Sequence, residues 1–349
     1  MSLREDVDTA SAVPAATTNS ARARHAPLTR RAPFSPPARV LAVLTLLALA
    51  SAALFLTWGV NGHWDYALPR RAEQVMALAV VGAAIAVSTV VFQTLTTNRI
   101  LTPSIMGFDA LYALFATILV FAFGATTVDT LNPWVMFFAT TVLLMVAATA
   151  LYRWMIGDGS RGLYTLVLMG VIAATLFTSI QNFMVRVMDP NEYDTLLNQL
   201  LPSFGALDTE VLTLAGWAMV AGTVVAFRAA RTLDVLALGR ERAIGLGVNY
   251  RRTVTWLLVL VALLVAVATA LVGPVTFLGL LVANLAYQVT RSNRHVITLT
   301  AAILLAAIAL ILGQALLHHV LHFNATLGSI INVVGGVYFI VLILKESRA

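Results

Sequence analysis

The chain has 349 residues, of which 60% are hydrophobic and only 11% are charged. Roughly 25% of the residues of a soluble globular protein are charged, so this composition excludes an ordinary soluble domain and places the chain in a lipid bilayer. One crossing of the hydrocarbon core takes about 20 apolar residues, and ten crossings would use most of the length. The absence of cysteine excludes disulfides, thiolate metal sites and thiol nucleophiles.

The lysine content excludes one way of driving transport within this polypeptide. Lys345 is the single lysine, and Glu346 follows it. The phosphate-binding loop G-x-x-x-x-G-K-[ST] therefore occurs nowhere in the chain. If ATP drives a transport reaction here, another polypeptide hydrolyses it, and this chain is not an enzyme.

The chain divides into a polar tail and a membrane domain. Residues 1–38 are rich in Ala, Ser, Thr, Pro and Arg without an apolar period, which predicts a disordered tail. Residues 39–349 alternate apolar stretches with short polar breaks. The ten predicted spans are 40–59, 72–95, 105–123, 133–156, 162–184, 209–229, 253–272, 275–290, 295–317 and 328–344. The eighth is short and follows Gly273 and Pro274, so we expect a bend at its start, buried against neighbouring helices.

The distribution of basic residues predicts the orientation. With the N-terminus inside, 19 of the 22 Lys and Arg residues fall on inner segments, and only Arg70, Arg71 and Arg186 fall outside. The positive-inside rule selects this orientation, and an even number of spans leaves both termini in the cytoplasm. The net charge of +6 is thus a topology signal, and nucleic-acid binding is not needed to explain it.

The N-terminal region also permits a different interpretation. Thr29, Arg30 and Arg31 precede an apolar run that contains Ala-Leu-Ala-Ser-Ala at 48–52, which is similar to a twin-arginine export signal with a cleavage site. The apolar run continues through Trp58, which is long enough to span the membrane and favours a first span.

Residues 232–248, here called the inner segment, are too apolar for a solvated loop. Three glycines interrupt the segment and favour two short helices. An apolar side of these helices, ringed by charges, could seat in a groove of a partner protein or lie on the lipid surface. The apolar residues concerned are Leu233, Leu236, Ala237, Ile244 and Leu246, and the glycines are Gly239, Gly245 and Gly247.

The inner segment resembles the coupling segment of the ABC importer permeases for iron chelates and vitamin B12. That family has a Leu-Gly pair followed by Ala-x-x-Leu-Gly-Val, and this chain has Leu238-Gly239 followed by Ala-Ile-Gly-Leu-Gly-Val at 243–248. Further blocks of the family are matched in order at 68–70, 93–107, 273–280 and 328–339. The resemblance covers about residues 40–348.

Some positions depart from the family's commonest form. Ala67 replaces an arginine, Ala283-Asn284 replaces Pro-His, and the mid-chain Trp-x-x-Gly-Ser is absent. Residues 188–195, together with 105–112 and 280–285, are similar to the branch that imports ferric catecholate siderophores of the petrobactin and anguibactin kind. Other cargoes of the same family, such as heme or cobalamin, remain alternatives.

The resemblance implies an all-α polytopic fold of the type II ABC importer permease kind, with no cofactor. It implies as partners ABC ATPase subunits, an extracytoplasmic substrate-binding protein, a second permease that is identical or paralogous, a ferric siderophore and membrane lipid. The ATPase-coupling residues carried over from it are Leu238, Gly239, Arg240, Glu241, Ala243, Gly245, Leu246 and Gly247.

Docking of the binding protein is assigned to arginines at the outer end. The resemblance carries over Arg70, while Arg71 and Arg186 are candidates from their outer position. An arginine can pair with a carboxylate through two hydrogen bonds, so one or two such residues suffice to orient a docking lobe. The alternative for all three is contact with lipid headgroups.

Four polar residues within the spans are candidates for lining the transport pathway. Asp109 could line the pathway or pair with a neighbouring helix, or it could be an interfacial carboxylate near the start of the third span. Thr178, Gln181 and Asn182 in the fifth span could face a polar cargo, or could make hydrogen bonds between helices.

A histidine cluster near the outer end of the ninth span allows a metal site. His318 and His322 are four residues apart and would share a helix face beside His319. No carboxylate or cysteine lies close in sequence to complete a site, and histidine is also common at membrane interfaces.

Two functions of other classes remain as alternatives. An ion-gradient-driven transporter would need paired carboxylates deep within spans, and the spans hold only Asp109, which lies near an end. A membrane-embedded enzyme would need converging catalytic groups, and the one dense set is explained as a solvated acidic loop. That set is Asp189, Glu192, Asp194, Asp208 and Glu210.

Overall fold

The computed structural model describes residues 37–60, 62, 64–156, 163–205, 207–320 and 326–346. The expectations for the tail at 1–38, apart from its last two residues, and for His322 lie outside these residues. Fourteen α-helices and no strands occur in the described part of the chain, so the predicted all-α class is confirmed. The helices are α1 Pro37–Thr57, α2 Trp64–Thr96, α3 Phe108–Phe123, α4 Ala125–Asp129, α5 Pro133–Ile156, α6 Leu163–Val187, α7 Pro190–Leu200, α8 Thr209–Arg228, α9 Ala230–Leu236, α10 Arg240–Gly245, α11 Tyr250–Val272, α12 Leu278–Thr290, α13 His295–His319 and α14 Leu327–Glu346.

Each of the ten predicted spans falls on one apolar helix. Seven of the described helices, α1, α2, α5, α6, α8, α11 and α13, are long and apolar enough to cross a membrane. The shorter apolar helices are α3, α12 and the part of α14 at Leu327–Val341. Helix α2 begins at Trp64, earlier than the predicted start at 72. The prediction missed the first two turns because they are polar and hydropathy does not reveal them. The predicted bend before the eighth span is present, since residues 273–277 are not helical and Gly273 has φ +87°.

Helix α2 forms the centre of the bundle. The residues from Val87 to Thr96 are all buried, and α2 packs against α8, α11, α12 and α13. The hydrophobic effect does not drive helices together in lipid, so their association depends on close packing, which small residues allow. A Cβ at Gly82 would lie 2.9 Å from Leu310 of α13, and one at Gly279 of α12 would lie 3.1 Å from the Cβ of Thr89.

Four of the five residues of the acidic set are exposed, as a solvated surface predicts, but the segment that begins at Asp189 is a helix and not a loop. Residues 190–200 form α7, whose N-cap Asp189 accepts a hydrogen bond from the backbone N–H of Asn191 at 2.9 Å. Leu196 of α7 is fully buried in a cluster with Ala116 and Val120 of α3. The expectation of a loop was wrong because the apolar residues of one short amphipathic helix are too few to register in hydropathy.

Candidate functional site

The inner segment folds as two short helices, as its pattern predicted. Helix α9 ends at Leu236 and α10 begins at Arg240, with Gly239 between them at φ +96° and ψ 162°. This conformation is open to glycine and strained for residues with a Cβ. The turn therefore requires Gly239, and the backbone N–H of Val248 donates to the carbonyl of Ala243 at 3.1 Å to close the far end.

Burial divides the apolar residues of the inner segment into two sets. Leu233, Leu236 and Ala243 are buried in the chain's own core. Leu233 and Leu236 therefore face neither a partner nor the lipid surface, the two predicted alternatives, because these side chains anchor α9 in the core. Leu238, Ile244 and Leu246 are 48%, 51% and 63% exposed, respectively.

Charged residues surround the exposed apolar set. Arg240, Glu241 and Arg242 are exposed on α10, and the Arg240 guanidinium lies 5.8 Å from the centre of the Tyr250 ring. Gly245 and Gly247 are exposed as well. The hairpin thus presents a small apolar patch with a charged rim, while its other side is part of the core.

A polar network that sequence reasoning missed ties α9 to the spans. Asp234 Oδ1 accepts from the backbone N–H of His295 at 2.8 Å and lies 2.7 Å from His295 Nδ1. The other ring nitrogen, Nε2, lies 2.8 Å from the hydroxyl of Thr94 near the end of α2. The network therefore joins α9, α13 and α2. Because Asp234 and His295 are 61 positions apart, sequence spacing gave no signal for this pair.

Asn284, one of the departures from the commonest family pattern, has a defined partner. Its Nδ2 donates to the carbonyl of Arg99 at 3.0 Å, and Gln93 Nε2 donates to the same carbonyl at 2.6 Å. The Arg99 guanidinium lies 4.6 Å from the centre of the Tyr287 ring. These contacts fix the connection that follows α2 against α12.

Asp109 lies within the bundle, near the start of α3. The hydroxyl of Thr276 donates to Asp109 Oδ2 at 2.7 Å, and Oδ1 is buried without a partner among the described residues. The carboxylate thus ties α3 to the non-helical residues before α12. This contact agrees with the interpretation that Asp109 pairs with a neighbouring segment. Asp109 also lies in the first turn of α3, so the interfacial carboxylate and the pathway role stay predictions.

The three outer arginines differ in their surroundings. Arg70 is exposed, its Nη1 donates to the Tyr66 hydroxyl at 3.2 Å, and it lines a cleft of about 420 Å³. Arg186 is also exposed. Arg71 instead donates to carbonyl oxygens at the end of α1, including that of Trp58 at 2.7 Å. Arg71 is therefore a cap for α1, which its outer position in the sequence could not show.

The polar residues of α6 are directed away from the bundle. Thr178 and Asn182 are exposed and Gln181 is half-buried. Only 6% of the most apolar stretch of α6 is buried, against 67% of the corresponding stretches of α2 and α11. No other helix in the described part of the chain covers Thr178 or Asn182. Hydrogen bonding between the described helices therefore does not explain why these two residues are polar.

His319 is held by the end of α1. Its ring stacks on Trp58 with centroids 4.5 Å apart, and Nε2 lies 2.9 Å from the Trp58 carbonyl. His318 lies beside it, with ring centroids 4.6 Å apart. The described residues contain no group of three potential ligands placed to hold a metal ion. The pairing of His318 with His322 remains a prediction.

Comparison with known proteins adds family relationships to this geometry. Residues 40–345 match the family described as the FecCD transport family. The chain is 41% identical to the petrobactin import system permease protein YclO of Bacillus subtilis, over 88% of this chain and 98% of that protein. It is 32% identical to the petrobactin import system permease protein FatC of Bacillus anthracis, over 79% of this chain and 78% of that protein.

A solved structure shares the fold. A metal-chelate type ABC transporter in an inward-facing conformation superposes with a TM-score of 0.77 at 20% identity, over 88% of this chain and 99% of that one. The type II ABC importer permease architecture implied by the sequence is thereby confirmed.

Proposed function

This chain belongs to the FecCD transport family, and from that membership we propose that it is the permease subunit of an ABC importer for an iron–siderophore complex. The inner segment is the observation that carries the mechanism. Leu238, Ile244 and Leu246 of this segment are exposed on the protein surface, while Leu233 and Leu236 anchor the segment in the bundle. An apolar patch with a charged rim, fixed to the core from behind, is suited to receive force from a partner.

The motor is a separate ATPase subunit. The chain lacks the lysine that a phosphate-binding loop requires, so ATP binding and hydrolysis occur in another polypeptide. Closure of two ATPase subunits would displace the inner segment, and the contacts of Asp234 with His295 would pass that displacement to α13 and α2. The permease then alternates between outward-open and inward-open states.

The substrate-binding protein docks at the outer end. Arg70 is exposed beside the cleft that Phe204 and Glu73 also line, so its guanidinium is accessible to a carboxylate of a docking lobe. Arg186 is a second accessible candidate. Arg71 contributes indirectly, because it holds the end of α1 against the start of α2.

A second permease subunit completes the pathway. Thr178 and Asn182 are polar and exposed on a helix that otherwise faces away from the bundle. Polar side chains are disfavoured against lipid, so a water-filled path between two subunits is the environment that suits them. The cargo is proposed to be a ferric catecholate siderophore of the petrobactin kind, on the strength of the similarity to YclO and FatC.

The test is reconstitution with defined partners. Proteoliposomes that contain the permease, its ATPase and its binding protein are expected to take up iron-loaded petrobactin only when ATP is present. Replacing petrobactin with heme or cobalamin tests the alternative cargoes. Uptake by the permease alone under a proton or sodium gradient would overturn the proposal in favour of a secondary transporter.

A variant pair separates the coupling patch from the general charge of this end. Ile244→Glu with Leu246→Glu should reduce co-purification of the ATPase about tenfold or more, because carboxylates would be buried in an apolar contact. The control Asn293→Glu adds a negative charge at an exposed residue of the same end and should leave co-purification unchanged.

A further inference from the structure

A cleft opens between α8 and α11 at the end of the bundle that carries the inner segment. Its volume is about 530 Å³, and its lining includes Arg228 at the end of α8 and Arg252 near the start of α11. Thr232 of α9 and Thr253 of α11 add two hydroxyls. Among the described residues that line the cleft there is no carboxylate, so none of them neutralises the two guanidinium charges there.

The cleft lies at the ends of two apolar helices that are long enough to span a membrane, and it opens beside apolar surface. It is bounded by the last residue of one spanning helix and the first turn of another. Trp256, 47% exposed, is part of its wall, and tryptophan is enriched at the level of lipid headgroups.

The exposed face of α8 continues from the cleft toward the middle of this helix. Trp217, Val220 and Val224 are 71%, 42% and 44% exposed. Their spacing places them on the same helical face as Arg228. A ligand with an anionic head and apolar tails would therefore meet charge at one end of this groove and hydrocarbon-compatible surface along the rest.

We propose that this cleft binds an anionic phospholipid, with the phosphate between Arg228 and Arg252 and an acyl chain along the exposed face of α8. The guanidinium groups are suited to a phosphate because they can donate two hydrogen bonds each, and the threonine hydroxyls can complete the set of donors. Basic pockets between spanning helices are suited to such headgroups. Since Thr232 belongs to α9, the bound lipid would also brace the inner segment.

The test uses the full-length chain in mild detergent, incubated with an equal mixture of phosphatidylglycerol and phosphatidylcholine of the same acyl chains. Native mass spectrometry should show phosphatidylglycerol retained over phosphatidylcholine. The double variant Arg228→Gln with Arg252→Gln should lower that preference about tenfold or more. The control Arg231→Gln with Arg242→Gln removes the same charge from exposed residues outside the cleft. This control should keep the preference for phosphatidylglycerol.

A second measurement locates the lipid and does not depend on the charge variants. Bromine-labelled phosphatidylglycerol should quench the fluorescence contributed by Trp256, obtained as the difference between the chain and its Trp256→Phe variant. Equal melting temperatures of all variants in detergent would show that they are folded.

Three results would overturn the proposal. The first is equal loss of lipid from the cleft variant and the control variant. The second is displacement of the labelled lipid by inorganic phosphate alone, which would make this a site for free phosphate. The third is unchanged lipid retention with loss of ATPase co-purification in the cleft variant, which would assign the arginines to the protein partner.

Discussion

Asp234 shows how one residue can connect a surface element to the core. Its Oδ1 serves both the backbone N–H and the ring of His295, and His295 is 5% exposed. Thr94 completes the connection on α2. Removal of Asp234 would leave the donors of His295 without this partner, and a buried donor without an acceptor is disfavoured by about 1–3 kcal/mol.

We therefore expect Asp234→Ala to lower ATP-driven uptake about fivefold or more, because α9 would move without displacing α13 to the same extent. The ATPase should still co-purify, since Leu238, Ile244 and Leu246 are unchanged. Uptake assays in proteoliposomes together with co-purification measure the two effects separately. Arg231→Ala, an exposed change on the same helix, is the control. Normal uptake by the Asp234 variant would show that the network carries no displacement.

At the scale of elements, the two short helices α3 and α12 are positioned by irregular backbone before them. Gly107, at φ +101°, precedes α3, and residues 273–277 precede α12. The hydroxyl of Thr276, in the irregular stretch before α12, donates to the carboxylate of Asp109 in the first turn of α3. The contact joins two side chains, so it fixes the start of α3 to the residues before α12 without using a backbone group of either segment.

The packing of α12 on α2 depends on a glycine. A Cβ at Gly279 would clash with the Thr89 hydroxyl, so Gly279→Ala should lower the stability of the folded chain by about 1–3 kcal/mol. The melting temperature in detergent measures this loss. The matched control is Gly216→Ala on α8, where nothing lies within 4 Å of the added methyl group, and its melting temperature should not fall. Equal behaviour of the two variants would contradict the proposed packing constraint.

At the scale of the whole molecule, the distribution of charge and burial defines two ends and one exposed side. Arginines cluster at the end with α9 and α10, and α7 lies at the opposite end. Helix α6 presents polar residues on the exposed side. The positive-inside rule therefore predicts that α7 lies outside the cell and the inner segment lies inside.

The absence of cysteine makes this orientation directly testable. A single cysteine introduced as Glu192→Cys on α7 should react with a membrane-impermeant maleimide in intact cells or spheroplasts. A single cysteine introduced as Asn293→Cys should react only after the membrane is permeabilised. Both positions are exposed or partly exposed in the structure, so access to the reagent depends on the side of the membrane. The opposite labelling pattern would reverse the orientation.

Composition and local pattern were sufficient for the membrane class, the ten apolar helices and the two short helices of the inner segment. These features follow from hydropathy and glycine spacing, which are local properties of the chain. They also sufficed for the family resemblance, since the motif blocks are contiguous. The amphipathic helix α7 was missed because few of its residues are apolar.

The tertiary structure alone decided which side chains are free to act. Leu233 and Leu246 are equally apolar in the sequence, yet one anchors the inner segment and the other is exposed. Arg70 and Arg71 are adjacent, yet Arg71 caps α1. The Asp234–His295 pair and the cleft between α8 and α11 join residues distant in sequence. Burial and pairing depend on which helices meet, and helix contacts in lipid are set by packing that no local pattern specifies.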